Sequence, residues 1–360
     1  MAPVHISCRS SIIRTALTSL AAPISSTTQD QSEHPQTNMS SQRSILVLGA
    51  GELGSQVLKS LIRHPERNNT QVALLLRPST IASDDRNKQA ELESYGKANI
   101  SLIPGDIVID TAAHLVSIFA PFDTIINCTG MTLPRGAQLK LSRAVLVAGV
   151  KRYFPWQFGL DYDAIGRASA QDLFDEQLDV RDMLRGQEKT GWVVVSTGMF
   201  MSFLFEPAFG VVDLKAGRVQ ALGDWGSELA VTAVEDIGRV VAEIVLVKTE
   251  EKGVVHVAGD VVSMRSLADV VEMVLGRSVE KSVKTVGQLK QELAEDPGDV
   301  MRKYRAVFAA GVGVSWDMKV TFNALNGMDT VSVEQWARQN LGVTKSMSLP
   351  SHPFLYAKTG

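Results

Sequence analysis

The sequence predicts an α/β protein, a doubly wound parallel sheet with a smaller mixed α/β region attached to it. Three observations carry this. Six short apolar runs alternate with helical or polar stretches between Ser44 and Ser196, the pattern of strands buried on both faces and joined by crossover helices. The first run ends in a glycine-rich turn that opens a helix. After Thr197 the alternation weakens into a mixed pattern.

Composition is consistent with that class. With 45% apolar and 21% charged residues in 360, the chain has the mix of a folded protein with enough length for roughly two domains. A net charge of −3 gives no global attraction to nucleic acid or to an anionic membrane. The longest apolar run, Trp192 to Phe205, is interrupted by Ser196, Thr197, Gly198 and Ser202. It falls short of the roughly 18 residues that span a bilayer. Cys8 and Cys128 form neither a disulfide framework nor a metal-ligand spacing. No metal is expected, and a reducing, cytoplasmic setting is.

Residues 1–43 are rich in Ser, Thr, Gln and Pro. They are expected to form a disordered extension, with residues 1–38 dispensable for the fold. The alternative is a mitochondrial transit segment, because Arg9 and Arg14 sit among Ser, Ile, Leu and Ala with no acid before Asp30. The regular part begins at Ser44. Ile45–Leu48 is the first strand, and Glu52 to Arg63 a helix with Leu53, Val57, Leu58 and Leu61 on one face. Gln71–Leu76, Ile100–Ile103, Asp123–Cys128, Arg152–Phe154 and Trp192–Ser196 are the next five strands, with a helix over Ala137–Ala148. Residues 44–198 thus make the main sheet domain. Residues 199–345 make the smaller region, with helices over Asp236–Val247, Met264–Leu275 (closed by Gly276) and Val331–Leu341 (closed by Gly342). Lys284–Arg305 should be helical in two pieces, broken at Pro297-Gly298, and 253–258 should return to the main sheet. Residues 346–360 are left as a tail.

The chemistry is concentrated at the ends of the strands. Gly49-Ala50-Gly51-Glu52-Leu53-Gly54 is a G-x-G-x-x-G turn between a strand and a helix, the Rossmann-type dinucleotide fingerprint. Gly49 allows the turn, Gly51 the approach of a pyrophosphate, and Gly54 close packing of helix on strand. Glu52 and Leu53 begin the helix whose free N–H groups face the phosphates. The second strand ends Leu76-Arg77-Pro78-Ser79-Thr80, without the carboxylate that holds an NAD ribose. Arg77 can grip a 2′-phosphate with its planar fork and Ser79 can add a hydroxyl, so NADPH is the expected cofactor. Asp106 and Ile107 follow the third strand, where an acid either lines the adenine pocket or caps a turn. Thr129, Gly130 and Met131 follow the fourth and should flank the nicotinamide. Cys128 reads as core.

Past the fifth strand, Lys151 to Asp163 carries Tyr153, Phe154, Trp156, Phe158 and Tyr162. Trp156 and Phe158 are placed against the cofactor, and Tyr162 is a candidate proton donor. Ser169-Ala170-Gln171-Asp172 reads as a capping box for a helix running to Arg185. Leu173, Val180 and Leu184 form its apolar arc, with Gln177 at the border and Asp172, Asp175, Glu176, Asp179 and Asp182 on a solvated face. No Tyr-x-x-x-Lys relay, Gly-x-Ser-x-Gly elbow, metal-ligand cluster or P-loop lysine occurs.

The glycine loop, Arg77, the Lys151–Gly159 segment, the helix after it and Asp236-Ile237-Gly238-Arg239 together resemble the isoflavone reductase-like, or NmrA-like, atypical short-chain dehydrogenases. The likeness spans about Ser44 to Leu341. Phe154 to Asp163 is similar to a fungal subgroup described as CipA-like or aromatic alcohol reductase-like. The resemblance implies an NADPH reductase of a small aromatic or polyketide-derived ketone or enone in secondary metabolism, a monomer or homodimer binding neither nucleic acid nor membrane. Plant members of the family carry a lysine, implicated in proton transfer, in the helix after the Phe-Gly segment. Matching Phe174-Asp175-Glu176-Gln177 to their pattern puts Gln177 at that position, where it could still polarise a carbonyl. The glycine loop also reads Gly-Ala-Gly in place of their Gly-Ala-Thr-Gly. The missing lysine favours a rival reading, a non-catalytic NADP-binding regulator; a third reading is a pocket that reshapes a polyketide without net redox change.

Overall fold

The computed structural model describes residues 43–131 and 133–341. The expected extension up to residue 42, the closure at Gly342 and the tail 346–360 lie outside the described residues. In chain order the strands are β1 (Ser44–Leu48), β2 (Gln71–Leu76), β3 (Ile100–Pro104), β4 (Thr124–Asn127), β5 (Arg152–Phe154), β6 (Gly191–Ser196), β7 (Met199–Phe200), β8 (Val212–Asp213), β9 (Arg218–Leu222), β10 (Glu228–Thr232), β11 (Gly253–His256), β12 (Asp260–Ser263) and β13 (Glu280–Lys284). Seven of them form one parallel sheet in the order β11-β6-β5-β4-β1-β2-β3. The direction of winding reverses between β1 and β4, the switch point where open α/β sheets bind ligands.

The continuous apolar strands are explained by cover on both faces. Leu46, Val47 and Leu48 are all fully buried. Val47 joins one core with Val57, Leu58 and Leu61 of the helix Glu52–Arg63 and with Ile237, Val241 and Ile244 of the helix Val234–Leu246. These two helices touch backbone to backbone: a Cβ on Gly238 would lie 2.6 Å from the Gln56 carbonyl. On the other face, Leu46 and Leu48 join Leu115, Phe119, Leu141, Val145 and Leu184. Those residues come from the helices Ala112–Phe119, Ala137–Val147 and Leu173–Arg185.

A third core joins the smaller region to the segment after β5, packing Leu160, Tyr162, Phe174 and Leu178 with Phe209, Val231, Leu267 and Phe308. In this region β10 pairs antiparallel with β12 and parallel with β7. In a second small sheet β9 pairs parallel with β13 and antiparallel with β8. The helix Met264–Leu275 starts on a reciprocal Ser263–Ser266 cap and stops at left-handed Gly276. The charged stretch folds as the helices Val286–Glu295 and Val300–Ala310, while Lys284 ends β13 instead of starting a helix.

The helix Leu173–Arg185 departs from expectation at its start. No capping box forms: Asp172, the residue before it, makes no capping bond, and the Ser169 hydroxyl donates to the Gln171 carbonyl. Ala168 has φ 55°, and its N–H donates to Asp175, so the chain enters the helix from a tight turn rather than an extended cap.

Candidate active site

The glycine loop is built as its spacing requires. Gly49 has φ 85°, and its N–H donates to the Leu75 carbonyl at 3.1 Å. A Cβ on Gly54 would lie 2.1 Å from the Gly49 carbonyl oxygen, so helix and loop are in van der Waals contact only because Gly54 lacks one. Gly51 differs, since a Cβ there would meet nothing within 4 Å. It is also the N-cap of Glu52–Arg63, and no side chain caps that helix. With no side-chain cap, the helix directs the positive end of its dipole toward the open space beside Gly51.

Arg77 stands exposed after β2 at the start of the short helix Pro78–Ile81, with Ser79 exposed beside it. Among the described residues the Arg77 guanidinium has no partner. Asp106 has its Oδ1 committed to the turn after β3, accepting from Val108 N–H (2.8 Å) and Ile109 N–H (3.2 Å). This is the turn-capping alternative. Ile107 is buried in the core on the opposite face from the helix Glu52–Arg63.

The loop after β4 is held by a buried polar network. Asn127 Nδ2 donates to Gln138 Oε1 (2.9 Å), and Asn127 Oδ1 accepts from the Thr129 hydroxyl (2.7 Å). Gln138 Nε2 donates to the Gly130 carbonyl (3.2 Å). Gln138 is fixed in turn by Glu176, whose carboxylate accepts from the N–H groups of Gly136 (2.8 Å), Gln138 (3.0 Å) and Leu139 (3.3 Å). This corrects the expectation of an idle acidic face. Glu176 caps the helix Ala137–Val147 from across the fold, Asp179 and Asp182 clamp Arg167, and Asp172 pairs with Lys303.

These parts meet in a cavity of about 330 Å³. Gly51, Glu52, Leu53, Thr129, Gly130 and Met131 line it at the glycine loop and the loop after β4, and Cys128 lies there too. Trp156, Phe158, Tyr162, Phe174, Phe200, Phe203, Tyr304 and Phe308 form its aromatic part. Trp156 packs against Phe158 (5.7 Å between ring centres) and edge-on to Phe200 (6.4 Å). Burial pushes the Cys128 thiol up, which keeps it a neutral core group. Burial also pushes the Tyr162 phenol up to about 12, against the opposing field of Arg181, whose guanidinium lies 5.1 Å over its ring.

Gln177 is buried but does not line the cavity. Its carbonyl accepts from Gln157 Nε2 (2.8 Å), its Oε1 has no partner, and its helix sends Phe174 into the cavity instead. Behind Tyr162 runs an ion-pair network that sequence reasoning missed. Arg181 is fully buried, donating from Nε to Gln157 Oε1 (2.6 Å) and from Nη1 to Asp163 (2.7 Å). Arg185, and then Arg181, hold the Asp163 carboxyl down at about 2. Asp161 contacts His256 at 3.3 Å and is likewise held below the usual carboxylate range, first by His256. Phe200, Phe203, Tyr304 and Phe308 were also missed. Tyr304 and Phe308 are spaced i, i+4 on one helix, the only local hint that they share a face. No described helix is long and apolar enough to cross a membrane.

Comparison with known proteins agrees with this architecture. Residues 41–336 match the NmrA-like family. The chain is 46% identical over 299 residues to an NmrA-like family domain-containing oxidoreductase of Gibberella moniliformis, covering 82% of this chain and 97% of that one. Its fold is similar to that of an isoflavone reductase, with TM-score 0.68, 20% identity, and 83% and 99% of the two chains covered. It is also similar to the leucoanthocyanidin reductase of Vitis vinifera solved as a binary complex with NADPH, with TM-score 0.67, 18% identity, and 82% and 98% covered. The chain belongs to the NmrA-like family and is an oxidoreductase related to the isoflavone reductases.

Proposed function

We propose that the protein is an NADPH-dependent reductase of a ketone or enone in a small aromatic or polyketide-derived metabolite. One observation carries this most: the dinucleotide loop and the aromatic residues line the same cavity, so a ring held by Trp156, Phe158 and Phe174 would lie against whatever the loop binds.

The chain's own groups fit an NADP dinucleotide. The uncapped N-terminus at Gly51, open where a Cβ would project, suits a pyrophosphate. Arg77, unpartnered among the described residues, with Ser79 suits a 2′-phosphate. Gly130 and Met131, held through Gln138 and Glu176, would fix the nicotinamide side. When bound, the cofactor supplies a hydride. The residues' part is to orient and to exclude water: an apolar wall strengthens each hydrogen bond made to a substrate oxygen. Tyr162 is the donor we assign to that oxygen. Gln177 enters this reading only at one remove, through the helix that carries Phe174.

One observation favours a regulator: among the described residues the cavity wall has no lysine, arginine or histidine. Oxidation of NADPH against a panel of aryl ketones and enones separates the two. Turnover supports the reductase, and tight NADPH binding with no turnover on any member supports the regulator.

A further inference from the structure

We propose that Tyr304 and Tyr162 form a two-phenol oxygen site, both hydroxyls donating hydrogen bonds to the carbonyl oxygen of the substrate. This rests on the reductase reading and extends it to a residue from the smaller region. Tyr304 lies on the helix Val300–Ala310, far from Tyr162 in sequence, yet both line the same cavity. The Phe174 ring links them, 4.5 Å from the Tyr162 ring centre and 6.2 Å from that of Tyr304.

Their chemistry is singular within the aromatic part of the wall. Phe158, Phe174, Phe200, Phe203 and Phe308 offer no polar atom. Trp156 Nε1 is itself buried and unbonded. The two phenols are therefore the side-chain oxygens available there, and neither has a hydrogen-bond partner among the described residues. Tyr162 is buried and Tyr304 partly buried, and a hydroxyl set in an apolar wall is best satisfied by a polar partner. Two such groups facing one cavity point to a ligand oxygen that pairs them. The rings are held in place, Tyr162 by Gly159, where a Cβ would lie 2.6 Å from its hydroxyl, and Tyr304 by Phe203 and Phe308 at 5.6 and 6.4 Å. Burial raises both phenols, Tyr304 further because Tyr162 is near, so both keep their protons at neutral pH and act as donors.

The test compares acetophenone with ethylbenzene, which has the same ring and a similar outline but no oxygen. Calorimetric binding is measured on the full chain without cofactor, for wild type, Tyr304→Phe, Tyr162→Phe and the double variant. The site predicts that wild type prefers the ketone. Each single variant should lose about tenfold in ketone affinity and stay within about twofold for ethylbenzene. The double variant should lose less than the product of the singles, because the hydroxyls share one oxygen. Equal losses for both ligands would mark Tyr304 as a packing group and overturn the proposal. So would unchanged ketone affinity, or a wild type that does not prefer the ketone. With NADPH added, kcat/KM for acetophenone should fall at least tenfold in Tyr304→Phe. Ketone-selective binding without turnover would keep the oxygen site and remove the reductase.

Discussion

Gly51 and Gly54 lie three residues apart and answer to different forces. At Gly54 the added methyl would strike the Gly49 carbonyl at 2.1 Å, whereas at Gly51 it would enter open space. Gly54→Ala should therefore cost about 1–3 kcal/mol or more of stability by overpacking. Gly51→Ala should leave the melting temperature almost unchanged and still weaken NADPH at least tenfold, because the methyl fills the space a pyrophosphate needs. Thermal denaturation and dinucleotide titration on the two variants check both halves. Both glycines were legible in the sequence because a backbone constraint leaves a fixed spacing. Gln177 was not, because a residue at the border of an apolar arc can face a cavity or a neighbouring element, and periodicity does not choose. With Oε1 already unpartnered, Gln177→Leu should change kcat/KM by less than about threefold, and Gln177→Lys should destabilise by burying a charge without a counter-ion. Turnover and melting temperature of the two variants decide it.

The helix Leu173–Arg185 works as an element. It caps a second helix through Glu176, closes the cavity with Phe174, and ties down the Tyr162 turn through Arg181 and Arg185. Its apolar arc was readable, but its acids looked like solvent decoration because their partners come from distant parts of the chain. Glu176→Ala should cost about 1 kcal/mol as a lost helix cap. It should also raise the KM for NADPH, since Gln138 then no longer fixes Gly130; denaturant unfolding and a KM series measure the two effects. Asp163 gives a pH signature. Its folded value of about 2 lies below the ordinary carboxylate value. Its contribution to stability is therefore complete above about pH 4 and lost as pH falls toward 2. Partial exposure lets solvent screen the pair, so the effect is smaller than the shift alone implies. Asp163→Asn should be less stable than wild type near neutrality, with the gap closing in acid. A constant gap across that window would argue against the pairing.

At the scale of the molecule, the main sheet was the most legible part. Strands buried on both faces leave near-continuous apolar runs, and the observed order β3-β2-β1-β4-β5-β6 follows from right-handed crossovers. The small sheets around β9 and β10 were not legible, because strands of two to five residues, most of them pairing across long separations, leave little local trace. For the same reason the glycine-loop side of the cavity left a trace in the sequence, whereas Phe200, Phe203, Tyr304 and Phe308 did not. The proposed reductase needs dinucleotide and aromatic ligand to share that cavity. It is tested most directly by the consumption of NADPH and of NADH with aryl ketones and enones, in wild type and in Arg77→Ala. The predicted result is turnover with at least one carbonyl compound, a kcat/KM for NADPH about tenfold or more above that for NADH, and a gap that closes in Arg77→Ala. Tight binding of both dinucleotides with no consumption of either, or equal use of the two by the wild type, would contradict it.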